Sequence, residues 1–465
     1  MVIGIVLSLI LLTYIAYRGY SVILFAPVCA LVAVFTAGEM SLMPSYTELY
    51  MGRAVIYIKN FFPVFLLGAV FGKVMEESGA ARSVARFIAE KLGASRALAA
   101  IVLAAAVLTY GGVSLFVVAF AVYPFANALF REANLPRRLI PGAIALGAFT
   151  FTMTAIPGTP QIQNIIPTKY FMTNSFAAPL FGIVGAVLMA GFGLAWLEYR
   201  KRKMLAAGED HGEPDTRVAT NFDDGVAELS PVMAALPLFA VLILNYVLTK
   251  YIGTWDVAIM EATSKVPLAS TTIPVANWAL ILSLLVGILL AIAFSFKQFK
   301  ARGNLQIALN TGAIGSLLAI MNTASEVGYG NIISSLPGFA VVRDFLLGIA
   351  PGTPLISEAL VVNVLAGITG SASGGMSIAL EAMGQYYLEW GARVGIGPEL
   401  LHRVAAMASG GFDSFPHNGA IITLLAICGM THKESYPDCG MVSVVIPFAT
   451  TFFLVAVWTF FGFTS

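Results

Sequence analysis

The sequence predicts an all-α polytopic membrane protein of two inverted-topology repeats, each with a re-entrant hairpin and a broken helix. Three observations predict it. The 465 residues are 58% hydrophobic and only 11% charged, with mean hydropathy +0.85, whereas soluble domains carry about 25% charged residues. Apolar runs of roughly spanning length recur along the chain. The order of runs and interruptions in residues 1–198 also returns in residues 230–465.

The first repeat, 1–198, has apolar runs at about 2–17, 20–37 and 56–72. The stretch 73–92 carries Glu76, Glu77, Arg82, Arg86, Glu90 and Lys91 and is too polar to span. It reads as an amphipathic arm lying on the membrane surface. A hairpin follows at 94–130, broken at Tyr110-Gly111-Gly112-Val113-Ser114. A broken helix at 139–170 is interrupted by Ala155-Ile156-Pro157-Gly158-Thr159-Pro160-Gln161, and a last span covers about 176–198. The polar segment 199–229 is a linker. The second repeat has runs at about 231–249, 275–296 and 304–323, then a short arm with Arg343 and Asp344. Its hairpin at 354–388 is interrupted around Thr369 to Ser377. Its broken helix at 400–430 is interrupted at Ser409-Gly410-Gly411-Phe412-Asp413-Ser414-Phe415-Pro416-His417-Asn418, and a last span lies at about 441–463. Interrupted helices at matching places in two halves are the best sequence pointer to a transporter binding site.

Charge orients the chain. With the arm and linker cytoplasmic, most Lys and Arg fall inside, including Arg82, Arg86, Arg137, Arg138, Arg200 to Lys203, Lys297, Lys300 and Arg302. The two repeats then have opposite orientation, with both termini outside a prokaryotic-type inner membrane. The opening run Val2-Ile3-Gly4-Ile5 has no basic flank, which speaks against a cleaved signal peptide. A net charge of +1 favours no nucleic-acid partner. Cys29, Cys428 and Cys439 show no metal or disulfide spacing, and no cofactor is expected beyond a coupling H⁺ or Na⁺.

The four interruptions are expected to meet near the midplane. Their freed backbone groups and helix N-termini can hold an anion without a basic side chain. Gly112, Ser114, Thr154, Thr159, Gln161 and Asn164 are the candidate substrate contacts of the first repeat; Ser371, Ser373, Gly374 and Asn418 are those of the second. Packing explains any single small hydroxyl residue equally well. No Lys or Arg lies in the interruptions, which favours a small monocarboxylate bearing hydroxyls over a di- or tricarboxylate. Asp413 is their one acid, and it is either the coupling-ion site or a cap of the following half-helix. His417 either shares its proton or bonds a backbone carbonyl. Glu326, in Asn322-Thr323-Ala324-Ser325-Glu326-Val327-Gly328, is a further proton-site candidate. Glu358 and Glu381 read as interfacial, His402 and His432 as loop or interface residues, and His211 as part of the linker.

The runs Gly370-Ser371-Ala372-Ser373-Gly374-Gly375-Met376 and Ala408-Ser409-Gly410-Gly411-Phe412-Asp413-Ser414-Phe415-Pro416-His417-Asn418-Gly419-Ala420 resemble the gluconate permease (GntP-type) family. Within it the chain is most similar to the D-β-hydroxybutyrate permease branch. The resemblance covers essentially the whole chain. It implies an elevator-type transporter of the ion transporter superfamily, usually a homodimer, with proton coupling. The expected function is thus a secondary active symporter for a small organic anion of the gluconate or 3-hydroxybutyrate type. A Na⁺-coupled di- or tricarboxylate carrier is the alternative, a channel is less favoured, and an intramembrane enzyme using Asp413 and His417 is remote.

Overall fold

In the computed structural model every regular element among the described residues is helical. The structure describes residues 2–18, 20–113, 115–212, 229–264, 273–348, 352–416 and 418–461. The first half opens with α1 (Val2–Tyr17) and α2 (Val22–Ala37). A long helix follows, in which α3 (Leu42–Pro44) passes through a π-helical turn at Ser45–Tyr50 into α4 (Met51–Glu77). The arm is α5 (Ala80–Leu92), and α6 (Ala97–Tyr110) and α7 (Leu115–Glu132) form a hairpin. The first broken helix comprises α8 (Ile140–Ala148), α9 (Phe151–Thr154) and α10 (Ile162–Phe171), and the half closes with α11 (Pro179–Ala206).

The second half runs through α12 (Pro231–Ile252), α13 (Val257–Ser264), α14 (Val275–Phe294), α15 (Phe296–Arg302) and the long α16 (Leu305–Ser335). Then come α17 (Phe339–Gly348), the hairpin α18 (Pro354–Thr369) with α19 (Ala372–Val394), and the second broken helix, α20 (Pro398–Ser409) with α21 (Gly419–Ile427). The last element is α22 (His432–Gly440), a π-helical turn at Met441–Val445 and α23 (Ile446–Phe461). Among the described residues six helices are long and apolar enough to cross a membrane: Leu42–Glu77, Pro179–Ala206, Pro231–Ile252, Val275–Phe294, Leu305–Ser335 and His432–Phe461.

The two longest spans lie against each other. A Cβ added at Gly312 would stand 2.7 Å from Val70 Cα, and one at Gly328 would stand 2.9 Å from Tyr50 O. Asn331 Nδ2 donates to Leu49 O at 2.9 Å. Residue numbers rise along α16 as they fall along α4, so the pair is antiparallel. The closing spans behave alike: Phe181 meets Trp458 edge-on at 4.9 Å, while at the other end Arg200 Nε donates to Asp438 Oδ1 at 2.7 Å.

Several boundaries differ from the hydropathy reading; two of them have a clear cause. The span before the arm does not stop at 72, because Lys73 Nζ pairs with Glu76 at 3.0 Å and Glu77 at 3.2 Å, neutralising charge at helical spacing. The arm therefore begins at Ala80, turns through 99° into α6, and buries Ala81, Val84 and Ala85. Protein, in addition to any lipid, covers its apolar face, since α5 packs on α6, α7 and α12. Likewise α16 does not end near 323 but continues to Ser335. Its polar run contains no proline, and its small residues seat against α4 and α19.

Candidate functional site

The first hairpin turns at Gly112, whose φ of +96° is a left-handed conformation natural to glycine. A Cβ there would stand 3.2 Å from Pro160 Cγ. The turn is tied to the first broken helix from both sides. Gln161 Nε2 donates to Thr109 O at 2.7 Å and Val113 O at 3.4 Å, and Tyr110 Oη donates to Pro157 O at 2.9 Å. Thr159 is fully buried and its Oγ1 has no partner. Gln161 gives no side-chain cap to α10, though its carbonyl accepts from Asn164 N at 3.0 Å, so Ile162 N and Gln163 N begin the helix without a capping side chain. Thr154 Oγ1 is spent on Thr150 O at 3.1 Å. Ser114 lies outside the described residues.

The second break is tied to its own hairpin in the same manner. Asn418 Nδ2 donates to Gly370 O at 2.9 Å and to Asp413 O at 2.8 Å, while its Oδ1 accepts from Ala420 N at 2.6 Å and Ile421 N at 3.0 Å. Asn418 therefore caps α21, and Asp413 is not that cap. Asp413 sits 5% exposed in the turn Phe412–Ser414, where its Oδ1 accepts from Ser414 Oγ at 3.1 Å. Asn363 Oδ1 of α18 accepts from Phe412 N at 3.3 Å. Ser371 caps α19, accepting from Gly374 N at 3.1 Å, and Ser373 Oγ lies 3.5 Å from both Ser371 Oγ and Thr323 Oγ1. His417 lies outside the described residues.

The two breaks touch. A Cβ at Gly410 would stand 2.7 Å from Thr154 Cγ2. Beneath that contact is Arg403, fully buried and missed by the sequence reading. Its Nε donates to Ala177 O at 3.1 Å, Nη1 to Asn164 Oδ1 at 2.8 Å and Thr154 O at 3.4 Å, and Nη2 to Ala177 O at 2.9 Å and Ser175 O at 3.2 Å. Five bonds match the five guanidinium donors. No acid pairs with Arg403 among the described residues, so its charge is felt by the first break while its donors are spent.

Asn164 is equally engaged. Its Nδ2 donates to Thr159 O and Ser175 O, both at 2.9 Å, and its Oδ1 also lies 3.3 Å from His402 Nε2. His402 is not a loop or interface residue: it is fully buried, with Nδ1 2.6 Å from Thr173 Oγ1. The acceptor oxygen facing Nε2 places a proton there, and the Thr173 hydroxyl serves Nδ1 as donor or acceptor.

Three acids also fall elsewhere than expected or beside it. Glu326 is 2% exposed, and its Oε2 has no partner. Its carboxyl lies flat on Gly374, where a Cβ would overlap it. Glu358 is not interfacial but fully buried in α18, with neither oxygen partnered. Glu381 is held by Tyr170 Oη at 3.0 Å and Arg53 Nε at 3.2 Å, with its side chain 6% exposed. His432, at an exposed bond, donates from Nε2 to Pro416 O at 2.9 Å. His211 does not hang free in the linker: its Nε2 donates to Asn127 Oδ1 at 3.0 Å, and burial, more than the Arg131 and Arg137 charges, holds its pKa below the ordinary value. The cysteines are free and buried.

The structure thus joins each broken helix to its hairpin and the two broken helices to each other. Glu326 lies on Gly374 of α19, while Asp413 sits in the turn Phe412–Ser414, which packs on α18 and α19 of the same hairpin. An intramembrane charge was the one signal in the sequence that pointed to Arg403.

No family model matches the chain. It is 47% identical over 474 residues, covering 98% of both chains, to the uncharacterized transporter YxjC of Bacillus subtilis (strain 168). A second relative, an uncharacterized transporter of Haemophilus influenzae, is 31% identical over 147 residues, 31% of this chain and 32% of its own. Among solved structures, the fold is similar to the YdaH transporter of Alcanivorax borkumensis, described as having an unusual topology, with TM-score 0.59 over 90% of this chain and 89% of that one at 16% identity. It is also similar to MtrF of Neisseria gonorrhoeae, of a class of antimetabolite efflux pumps, with TM-score 0.51 over 90% and 84% of the two chains at 13% identity. These likenesses speak to fold alone. On the identity shared along its whole length, the chain belongs to the membrane-transporter family that includes YxjC of Bacillus subtilis.

Proposed function

We propose that the chain is a secondary active symporter that carries a small hydroxycarboxylate of the gluconate or 3-hydroxybutyrate type together with protons. The observation that carries this reading is the joining of all four helix interruptions into one buried cluster, through Gln161, Asn418 and the Gly410–Thr154 contact. Irregular backbone at membrane depth is tolerated only where it is buried in protein or lines a cavity, and such sites hold substrate in transporters of this kind. The resemblance to gluconate permeases supports the substrate class.

Charge divides the roles. The uncapped start of α10, the unpartnered Thr159 hydroxyl and the unpaired charge of Arg403 favour the substrate carboxylate at the first break. Asp413, in the second break, is the coupling site. One fixed cation balances one carboxylate, whereas citrate would bring two further charges into a low-dielectric site. Asn164 and Asn418, whose polar atoms all serve protein groups, act as ties. The antiparallel runs of α4 with α16 and of α11 with the closing span support opposite orientation of the halves. They also support alternating access by movement of the hairpins and broken helices, with the linker on the cytoplasmic side of the cell membrane.

Uptake into proteoliposomes tests this reading, with pH and Na⁺ gradients imposed separately and with gluconate, 3-hydroxybutyrate, lactate and citrate as competitors. Saturable uptake driven by the pH gradient and blocked best by a hydroxy-monocarboxylate is expected. Asp413→Asn is expected to abolish accumulation while leaving exchange. Dominant competition by citrate, a Na⁺ gradient sufficing alone, or intact accumulation in Asp413→Asn overturns it.

A further inference from the structure

We propose that Glu326 is a second proton-binding site, separate from Asp413, and that its loading holds the α18–α19 hairpin against the long span α16. The proposal rests on the transporter reading only for its consequence, since the site is defined by packing.

Glu326 lies deep in α16, where its carboxyl covers Gly374 in the first turn of α19. The fit is possible only because residue 374 has no side chain. Nearby, Ser371, Ser373 and Thr323 form a hydroxyl chain that bridges the hairpin tip to α16. No cation pairs with the carboxyl among the described residues. From the π-helical turn Ser45–Tyr50 and from α4, the phenols of Tyr50 and Tyr57 stand near it, with Tyr57 beside Ser377 of α19. From α2 the nearest titratable group is Cys29, behind Tyr50. Further along α19, Glu381 is occupied by Arg53 and Tyr170. On α17, Arg343 is bound to Asp344 and Tyr386. A carboxylate ion with an unpartnered oxygen in such surroundings is strongly disfavoured, and the neutral acid is not. The seated hairpin therefore selects protonated Glu326. Loss of the proton favours a hairpin drawn away, where water reaches the carboxylate.

The test is hydrogen–deuterium exchange over about residues 367–380 in the full chain in lipid nanodiscs, from pH 6 to pH 9. Labelling times are scaled for intrinsic exchange. The wild type is expected to lose protection at least tenfold as pH rises. Glu326→Gln, a permanent stand-in for the neutral acid, is expected to hold its protection flat, and Glu358→Gln to follow the wild type. Gly374→Ala, which crowds the carboxyl, is expected to show low protection already at pH 6. This variant decides the matter if Glu326→Gln does not fold. A flat wild-type profile, a wild-type profile in Glu326→Gln, full protection in Gly374→Ala, or a response to Na⁺ at fixed pH overturns the proposal. The readout involves no substrate, so its failure leaves proton-driven uptake standing, and failure of uptake leaves it standing.

Discussion

Alanine at Asn164 removes four hydrogen bonds from a fully buried position. Ser175 O keeps Gly158 N at 2.8 Å and Arg403 Nη2 at 3.2 Å, so little is lost there. Thr159 O, His402 Nε2 and one N–H of Arg403 lose their partners. Stranding a buried polar group costs about 1–3 kcal/mol, and more when the group is charged. With partial relaxation, a total of about 3–5 kcal/mol follows. Asn164→Asp keeps the shape and gives Arg403 a carboxylate, but turns an oxygen toward the carbonyls of Thr159 and Ser175, so an intermediate loss is expected. Thermal unfolding of the purified protein in detergent reads the effect as a drop of several degrees for alanine. Protein that remains folded should bind substrate with unchanged affinity. A wild-type melting temperature combined with weakened binding would make Asn164 a substrate ligand and refute its role as a tie.

Other perturbations separate scaffold from site. Asp438 is fully buried between Arg200 and Trp196 Nε1, at 2.7 and 3.1 Å. Asp438→Ala should cost about 3–5 kcal/mol in thermal stability, with the KM for uptake unchanged. Gly112→Ala forces a left-handed residue against Pro160; a loss of about 1–2 kcal/mol and a lower maximal uptake rate are expected. His211 is neutral in the fold because burial lowers its pKa. Its docking is fully stable above the ordinary value near 6.5 and weakens as pH falls below it. Faster exchange at about residues 205–212 below pH 6 would register this.

Hydropathy and punctuation carried much of the fold into the sequence. The span expected at 275–296 is Val275–Phe294, and that at 231–249 is Pro231–Ile252. These runs are largely apolar, Asn245 and Asn277 apart, and hydropathy alone marks them. Where protein decides, the reading fell short. The polar run around Glu326 looked like a helix end, yet close packing keeps it helical to Ser335. Asn164 looked like a substrate ligand, since an amide in a helix break serves a ligand or a carbonyl equally well. Its partners Ser175, His402 and Arg403 come from distant segments, and nothing local announces them. Arg403 stands next to His402, itself read as a loop or interface residue, and its partners Ala177, Ser175 and Asn164 come from distant segments.

Counting charge through a transport cycle gives a last, sharper consequence. A monocarboxylate moving with one proton on Asp413 carries no net charge. If Glu326, fixed on α16, takes up its proton from the outside and releases it to the inside as the hairpin seats and withdraws, each cycle moves one positive charge inward. A potential of about 100 mV, negative inside, is worth roughly 2.3 kcal/mol per charge. Converted at 1.4 kcal/mol per tenfold, that is about a 40-fold gain in accumulation. Proteoliposomes clamped with a potassium gradient and valinomycin measure this at zero pH gradient. Wild-type accumulation should rise with the imposed potential, and Glu326→Gln, which has lost one titrating carboxyl but keeps Asp413, should be indifferent to it. Equal sensitivity in both proteins would leave Glu326 as a latch whose proton never crosses, and indifference in both would limit coupling to a single proton.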